Sequence, residues 1–299
     1  MFIFVNKICR VPAGNPAGGQ FSRCGSGGAV KGEDGIWRNS LGEVYSKAHQ
    51  EILSRIQIPK GWTDIAVNAN PAGSPVVKGI DSKGRIVSVT HPDVSAEGEA
   101  YKWVRNDSFS SGPVSKLARE AYSGAAKGDG TAAAIYLTLK SGMRPGSMED
   151  TKASQQAYGV STITGKNVML VGKDKVRFQF TGKKGVEQGH TITSPVLAKF
   201  IRSRNPGNEE LVFGTDGNKM LAAVKKIAGS EYKVRDIRTW RATTDARRLI
   251  KTFPKPEGPK AIQKAKMAIA AKVSKTLGNR PAQALESYIN PGVWAMWEF

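Results

Sequence analysis

Gly278 and Pro281, three residues apart near the end of the chain, constrain its fold more than any other feature. Ahead of them runs a Lys/Ala-rich stretch, residues 261–277, in which Ile262, Ala265, Ile269 and Val273 recur at helical spacing. Gly278 supplies the left-handed residue that stops such a helix, and Pro281 arrives with φ preset for the first turn of another. Asn279 and Tyr288 are nine residues apart, about two and a half helical turns. A tyrosine on a short terminal helix, with a polar residue just upstream, suits nucleophilic attack on a phosphodiester. A phenol with a pKa of about 10 is a weak nucleophile unless its surroundings activate it. Taken alone, such a tyrosine is more often a core ring with its hydroxyl hydrogen-bonded. The decision rests on the rest of the chain.

Charge narrows the partners. Forty-five Lys and Arg against 25 Asp and Glu leave +20 on 299 residues, an excess that points to a polyanion. A membrane surface is the competing partner. Against it, there is no basic amphipathic helix with bulky apolar anchors and no apolar run long enough to span. Met1–Val5 is apolar but ends at Asn6-Lys7, too short for a signal-peptide core. Cys9 and Cys24, in a flexible Gly-rich segment, allow neither a disulfide scaffold nor a four-cysteine zinc site. A reducing cell interior is the expected setting.

Residues 1–35 read as an extended Gly-rich basic arm. Its Val11 to Phe21 is similar to a Gly-rich tract of bacteriophage head-associated proteins. Val44, Ala48, Ile52 and Ile56 predict a helix over 42–57, and a turn at Ile58-Pro59-Lys60-Gly61 precedes a β-rich run. Val76–Ile80 and Arg85–Val89 flank Asp81-Ser82-Lys83-Gly84, a hairpin signal. Residues 36–105 are therefore expected to form a small, mostly β domain, with Asn106 to Gly112 as linker. Helices are predicted over 115–126 and 131–141, the second ending at Gly142-Met143-Arg144-Pro145-Gly146. Residues 161–171 and 176–181 read as paired strands around Gly172-Lys173-Asp174-Lys175. Residues 164–184 hold six basic side chains, among them Lys175, Arg177, Lys183 and Lys184, and one acidic, Asp174. Such a run is usually a solvated face; on a hairpin of so basic a chain, nucleic-acid contact is an equal reading. Residues 234–250 form a further helix holding Asp236-Ile237-Arg238-Thr239-Trp240.

Five of these stretches stand together in the order of one family. Arg144 in Met-Arg-Pro-Gly-Ser, Lys173 in Val-Gly-Lys-Asp-Lys-Val, Arg238 in Asp-Ile-Arg-Thr-Trp, Leu-Gly-Asn279 and Ser-Tyr288-Ile resemble type IB DNA topoisomerases. The similarity is greatest to the small bacterial and poxvirus-like branch. Ile58-Pro59-Lys60-Gly61-Trp62-Thr63-Asp64 resembles the start of that branch's amino-terminal β domain. The resemblance spans roughly residues 40–295.

It implies an α+β fold, with a small β-rich domain (36–105) and a larger, mainly α catalytic domain (106–299) of the topoisomerase IB/tyrosine recombinase type, clamped on double-stranded DNA. It implies Tyr288 as nucleophile, with Arg144 and Arg238 on the non-bridging phosphate oxygens that guanidinium forks match. Asn279 adds an amide donor there. Lys173 becomes the general acid for the departing 5′ oxygen. Lys175, Arg177, Lys183, Lys184, Trp62 and Arg85 become DNA contacts. No cofactor, metal or ATP is implied, and a cytoplasmic, nucleoid-associated monomer, with virion packaging as an added role, is expected. Asn279 stands where poxvirus enzymes carry His, as in the bacterial branch, and Ile86 to His91 offers few base-reading groups. The rivals are a tyrosine recombinase, which usually carries His where Arg235 stands, and a virion DNA-binding protein keeping only the fold.

Overall fold

The computed structural model describes residues 28–82 and 84–297. Met1–Val5, Cys9, Cys24 and the Val11 to Phe21 tract lie outside them, as does Lys83 of the expected hairpin turn. The described residues divide into two compact units, the first ending at Lys102 and the second beginning at Trp103.

In the first unit β1 (Val30–Lys31) pairs antiparallel with β2 (Trp37–Arg38). Helix α1 (Lys47–Ser54) follows, capped by the Ser46 hydroxyl, which accepts from the His49 N–H at 3.4 Å. It is shorter than its apolar spacing predicts. β3 (Thr63–Val67), β4 (Val77–Ile80) and β5 (Ile86–Val89) make an antiparallel sheet in that order. Ile52, Leu53, Val67, Val76 and Val77 form the core beneath it.

The division falls inside α2 (Pro92–Ser110). The expected linker from Asn106 is therefore helix up to Ser110: Asn106 and Phe109 are buried, and burial outweighs the poor propensity of a Ser/Asp-rich run.

The second unit is mainly helical. α3 (Pro113–Ala126) and α4 (Gly130–Ser141) form a hairpin, and Asp129 caps α4 through the Ala132 N–H at 3.0 Å. After the short α5 (Met148–Thr151), residues 161–167 are loop and a 3-10 turn rather than the predicted strand, because Thr164 turns away to bridge Leu211. β6 (Val168–Val171), β7 (Lys175–Thr181) and β8 (Glu187–Thr193) form an antiparallel sheet with β7 central. Then come α6 (Pro195–Arg204), α7 (Gly217–Ala228), α8 (Val234–Ile250), α9 (Gly258–Leu277) and α10 (Pro281–Ser287). One core cluster joins α3, α4, α6 and α7 to β7, and a second joins α8 and α9 to Tyr288, Ile289, Val293, Trp294 and Trp297. α8 contributes to both, Ile237 to the first and Ala242 and Ala246 to the second, so it is the beam on which the unit is built. Its N-terminus is fixed by Asp236, which accepts the Lys233 N–H at 2.8 Å and a two-point bond from Arg105 at 3.0 and 2.9 Å.

Candidate active site

Arg238 leaves α8 into the interior and is only 2 % exposed. Burying a guanidinium is costly unless its protons are taken. Two are: one Nη donates to the Gly142 carbonyl at the end of α4, the other to the Leu277 carbonyl at the end of α9 at 3.2 Å. Both acceptors sit where a helix points the negative end of its dipole, which favours a cation. The two helices can end there because Gly142 (φ 68°) and Gly278 (φ 61°) adopt left-handed caps. Burial holds Arg238 below its ordinary value, at about 10, while Tyr288 pulls upward and Arg144 and Arg235 push downward. It stays charged at neutral pH, and its Nε has no partner among the described residues.

Arg144 follows the α4 cap by two residues. Its loop is pinned by the Val160 N–H on the Arg144 carbonyl at 2.8 Å and the Ser161 hydroxyl on the Pro145 carbonyl at 2.8 Å. Arg235, one helical turn before Arg238 on α8, points into the same region.

Tyr288 closes α10 as its C-cap residue, its N–H bonded to the Ala284 carbonyl at 3.1 Å. The ring packs in the second core cluster. The Arg238 guanidinium carbon lies 5.0 Å and that of Arg235 5.6 Å from its centroid. Burial alone would raise the phenol's pKa; Arg238, then Arg144 and Arg235, outweigh it, and the net shift is downward. That is the activation a phenol nucleophile needs.

In front of these groups opens a cleft of about 420 Å³ lined by Arg144, Lys183, Arg235, Arg238 and Tyr288, together with Tyr158, Gln283 and Asp150. Among the described residues its lining carries four cations and one carboxylate, that of Asp150, a balance that suits an anion. A recess beside it is lined by Arg144, Lys183, Gln188, Arg238 and Gly278. Gln188 Nε2 donates to the Gly278 carbonyl at 3.2 Å, and a Cβ at residue 278 would meet only the movable end of that side chain, so it is the left-handed φ that calls for glycine there. Asn279 comes next, and both polar atoms of its amide are buried without a partner. Buried donors left unpaired, as at Asn279 and Arg238 Nε, are expensive.

The structure thus gathers Arg144, Arg238 and Tyr288 about one cleft; Asn279 is not among the residues that line it and follows Gly278 of the neighbouring recess. It does not bring Lys173 there. Lys173 is exposed in the β6–β7 turn, where its carbonyl accepts from Arg202 at 3.4 Å. The cleft lies at the other end of β7, where Thr181 accepts from the Tyr158 N–H at 2.8 Å and the β7–β8 turn presents Lys183. Seven strand residues separate the two turns, about 20 Å at the rise of a β-strand. Among the sequence-predicted lysines whose side chains are described, Lys183 is the one that lines the cleft; the side chain of Lys184 lies outside the described ones. Lys175 and Arg177 are exposed on alternate positions of β7. Trp62 and Arg85 belong to the first unit: Trp62 stacks against Gly79 of β4, and Arg85 pairs with Asp81 at 2.6 Å. Arg235, Gln188, Tyr158 and Gln283 were not predicted as site residues; only Arg235, at helical spacing from Arg238, left a signal in the sequence.

Tyr288 is thus held beside Arg238 and Arg235 in a cleft whose described lining is mainly cationic, an arrangement that suits an anion. The α+β fold carries it in a mainly helical unit. The family model of the eukaryotic DNA topoisomerase I catalytic core matches residues 115–286, more than half of the chain, and the chain belongs to that family. The match includes Arg144, Lys183, Arg235, Arg238 and Asn279 and stops two residues short of Tyr288. No curated protein matches the chain.

Proposed function

We propose that this protein is a type IB DNA topoisomerase that relaxes duplex DNA through a transient single-strand break. The supporting observation is the convergence of Arg144, Arg235, Arg238 and Lys183 on the buried, activated phenol of Tyr288. In this reading Tyr288 Oη, its proton lost to solvent, attacks the scissile phosphorus. Arg144, Arg238 and Asn279 take the non-bridging oxygens, where charge accumulates in the transition state. The bond to the 5′ oxygen breaks, and Lys183 gives that oxygen its proton. The strand's 3′ phosphate stays on the tyrosine while the free 5′ end swivels under torque. Reversal of the same steps reseals the strand. The bond energy is kept in the phosphotyrosyl link, so neither ATP nor metal has a step to perform.

The small bacterial and poxvirus-like branch is the proposed origin, on the resemblance of residues 58–64, with a bacteriophage source suggested by the tract in the arm. Action on DNA in the cytoplasm goes with it. The test is relaxation of supercoiled plasmid in EDTA without ATP, on wild type and Tyr288→Phe. Both signs of supercoil should relax with wild type and neither with the variant. Strict dependence on Mg²⁺, or DNA binding with no relaxation, rejects the reading; the second outcome leaves a DNA-binding protein that keeps the fold.

A further inference from the structure

A second concavity, of about 500 Å³, lies between α3, α4 and α8 and shares no residue with the cleft just described. Ala118 and Leu139 form its floor, Tyr122, Tyr136 and Trp240 its walls, and Arg119, Lys140 and Arg241 its rim. We propose that this groove binds an unpaired stretch of DNA, a base stacking on Tyr122 and the flanking phosphates meeting Arg119 and Lys140. The proposal rests on reading the chain as a DNA enzyme.

Three features carry it. Tyr122 is 53 % exposed, so it is not a core ring, yet it is held in place by an edge-on contact with Tyr136, centroids 5.6 Å apart at 74°. A fixed aromatic face open to solvent is what a base stacks on. Next, the charge around it is of one sign. Among the described residues the lining contains no carboxylate. Arg241 is bonded to Asp245 at 2.9 Å, whereas Arg119 and Lys140 carry no ion pair among the described residues; Lys140 Nζ sits 5.5 Å from the Tyr136 centroid. A basic segment of this chain or of a second copy would be repelled there, and a polyanion attracted. Finally, a duplex keeps its base faces inside the stack and offers mainly phosphates, for which three aromatic walls are superfluous. Aromatic faces between cations match a single strand. The helices involved also lead into the cleft: α4 runs on to Arg144, and Trp240 follows Arg238 by two residues.

The experiment measures fluorescence anisotropy of a labelled oligothymidylate, and of a duplex of equal length, with the full chain and its Tyr122→Ala, Tyr122→Phe and Arg119→Ala/Lys140→Ala variants. Tyr122→Ala should weaken oligothymidylate binding about 5- to 100-fold, the worth of one stacked base, and leave duplex affinity and plasmid relaxation unchanged. Tyr122→Phe should bind like wild type, and the double variant should bind weakly with a shallower salt dependence. Circular dichroism confirms that each variant is folded; Tyr122 is exposed enough that all should be. If single-strand and duplex affinity fall together, the groove belongs to the duplex path and the proposal is overturned. Unchanged affinity in every variant, or a wild type that ignores oligothymidylate, also overturns it. A wild type that binds oligothymidylate through Tyr122 yet neither binds nor relaxes duplex DNA would instead reject the topoisomerase reading alone.

Discussion

The Thr243 hydroxyl bridges the two peptide groups on either side of Ile289, immediately after Tyr288: it donates to the Tyr288 carbonyl at 3.3 Å and accepts the Asn290 N–H at 3.1 Å. Thr243 is five residues beyond Arg238 on α8, so one rigid helix sets both the guanidinium and the tyrosine it faces. Asn290 extends the tether, its Nδ2 donating to both oxygens of Asp107 at 3.2 Å. Thr243→Val keeps the shape but leaves a buried carbonyl and N–H unpaired, which should cost about 1–3 kcal/mol of stability. It should also slow covalent attack in single-turnover cleavage at unchanged DNA affinity, and Thr243→Ser should restore both. A valine variant that cleaves at the wild-type rate would show that the tether does not position Tyr288.

The phenol's lowered pKa sets a pH profile. Attack needs the phenolate, so the single-turnover rate should rise with pH and level off at a midpoint below the ordinary phenol value of about 10. Arg235 is one of the groups that lowers it, behind Arg238 and Arg144. Arg235→Gln removes that attraction, and the midpoint should move upward. Arg235 is exposed, so the fold should tolerate the change. A midpoint that stays put in the variant would mean that Arg235 touches the phosphate without influencing the phenol.

His190 makes stability pH-dependent. It faces inward from β8, shares a hydrogen bond with Gln188 at 3.3 Å, and is held at about 4, from an ordinary 6.5, by burial and by the charge on Arg238. A folded pKa below the unfolded one means that the unfolded chain takes up a proton first as pH falls. The stability His190 contributes is therefore complete above pH 6.5 and drains away towards pH 4, by at most roughly 3 kcal/mol. Urea melts across that interval should show the decline, and His190→Gln should flatten it. Equal slopes in both proteins would place the acid sensitivity in the carboxylates.

Helices with strong period or clear punctuation were legible in the sequence. Residues 234–250 form α8 as read, and Gly278 and Pro281 end and restart helices where they should. β8, α6 and α7 left too faint a pattern: Gly189 interrupts the alternation of β8, and α6 is only ten residues long, opened by the Ser194 cap and Pro195. Arg144 and Tyr288 stand beside helix ends that the sequence marks, and Arg238 lies in the second turn of α8. Which lysine turn shares their cleft was not legible, because Gly172-Lys173-Asp174-Lys175 and Gly182-Lys183-Lys184-Gly185 are both basic Gly turns. Which of them meets Tyr288 depends on a third strand pairing back along β7, information that lies in tertiary register and not in local pattern.

That register yields the sharpest test, because two lysines of similar local sequence sit at opposite ends of one strand. Lys183 lines the cleft with Arg144 and Tyr288, and Lys173 does not. Lys183→Ala should slow strand cleavage by about 10²- to 10⁴-fold, the usual contribution of a positioned general acid. Lys173→Ala should leave the cleavage step at the wild-type rate and, at most, weaken DNA binding through one lost phosphate contact. Single-turnover cleavage at saturating protein separates the two effects. A substrate with sulfur in place of the 5′ bridging oxygen has a leaving group that departs without a proton. It should rescue Lys183→Ala and do nothing for Tyr288→Phe, which lacks the attacking oxygen. Rescue of a slow Lys173→Ala, with Lys183→Ala unimpaired, would mean that the β6–β7 turn reaches the phosphate on DNA-bound protein and that Lys183 is a contact only. If sulfur rescues neither lysine variant, the proton comes from another group, and Tyr158, which lines the same cleft, becomes the next to replace.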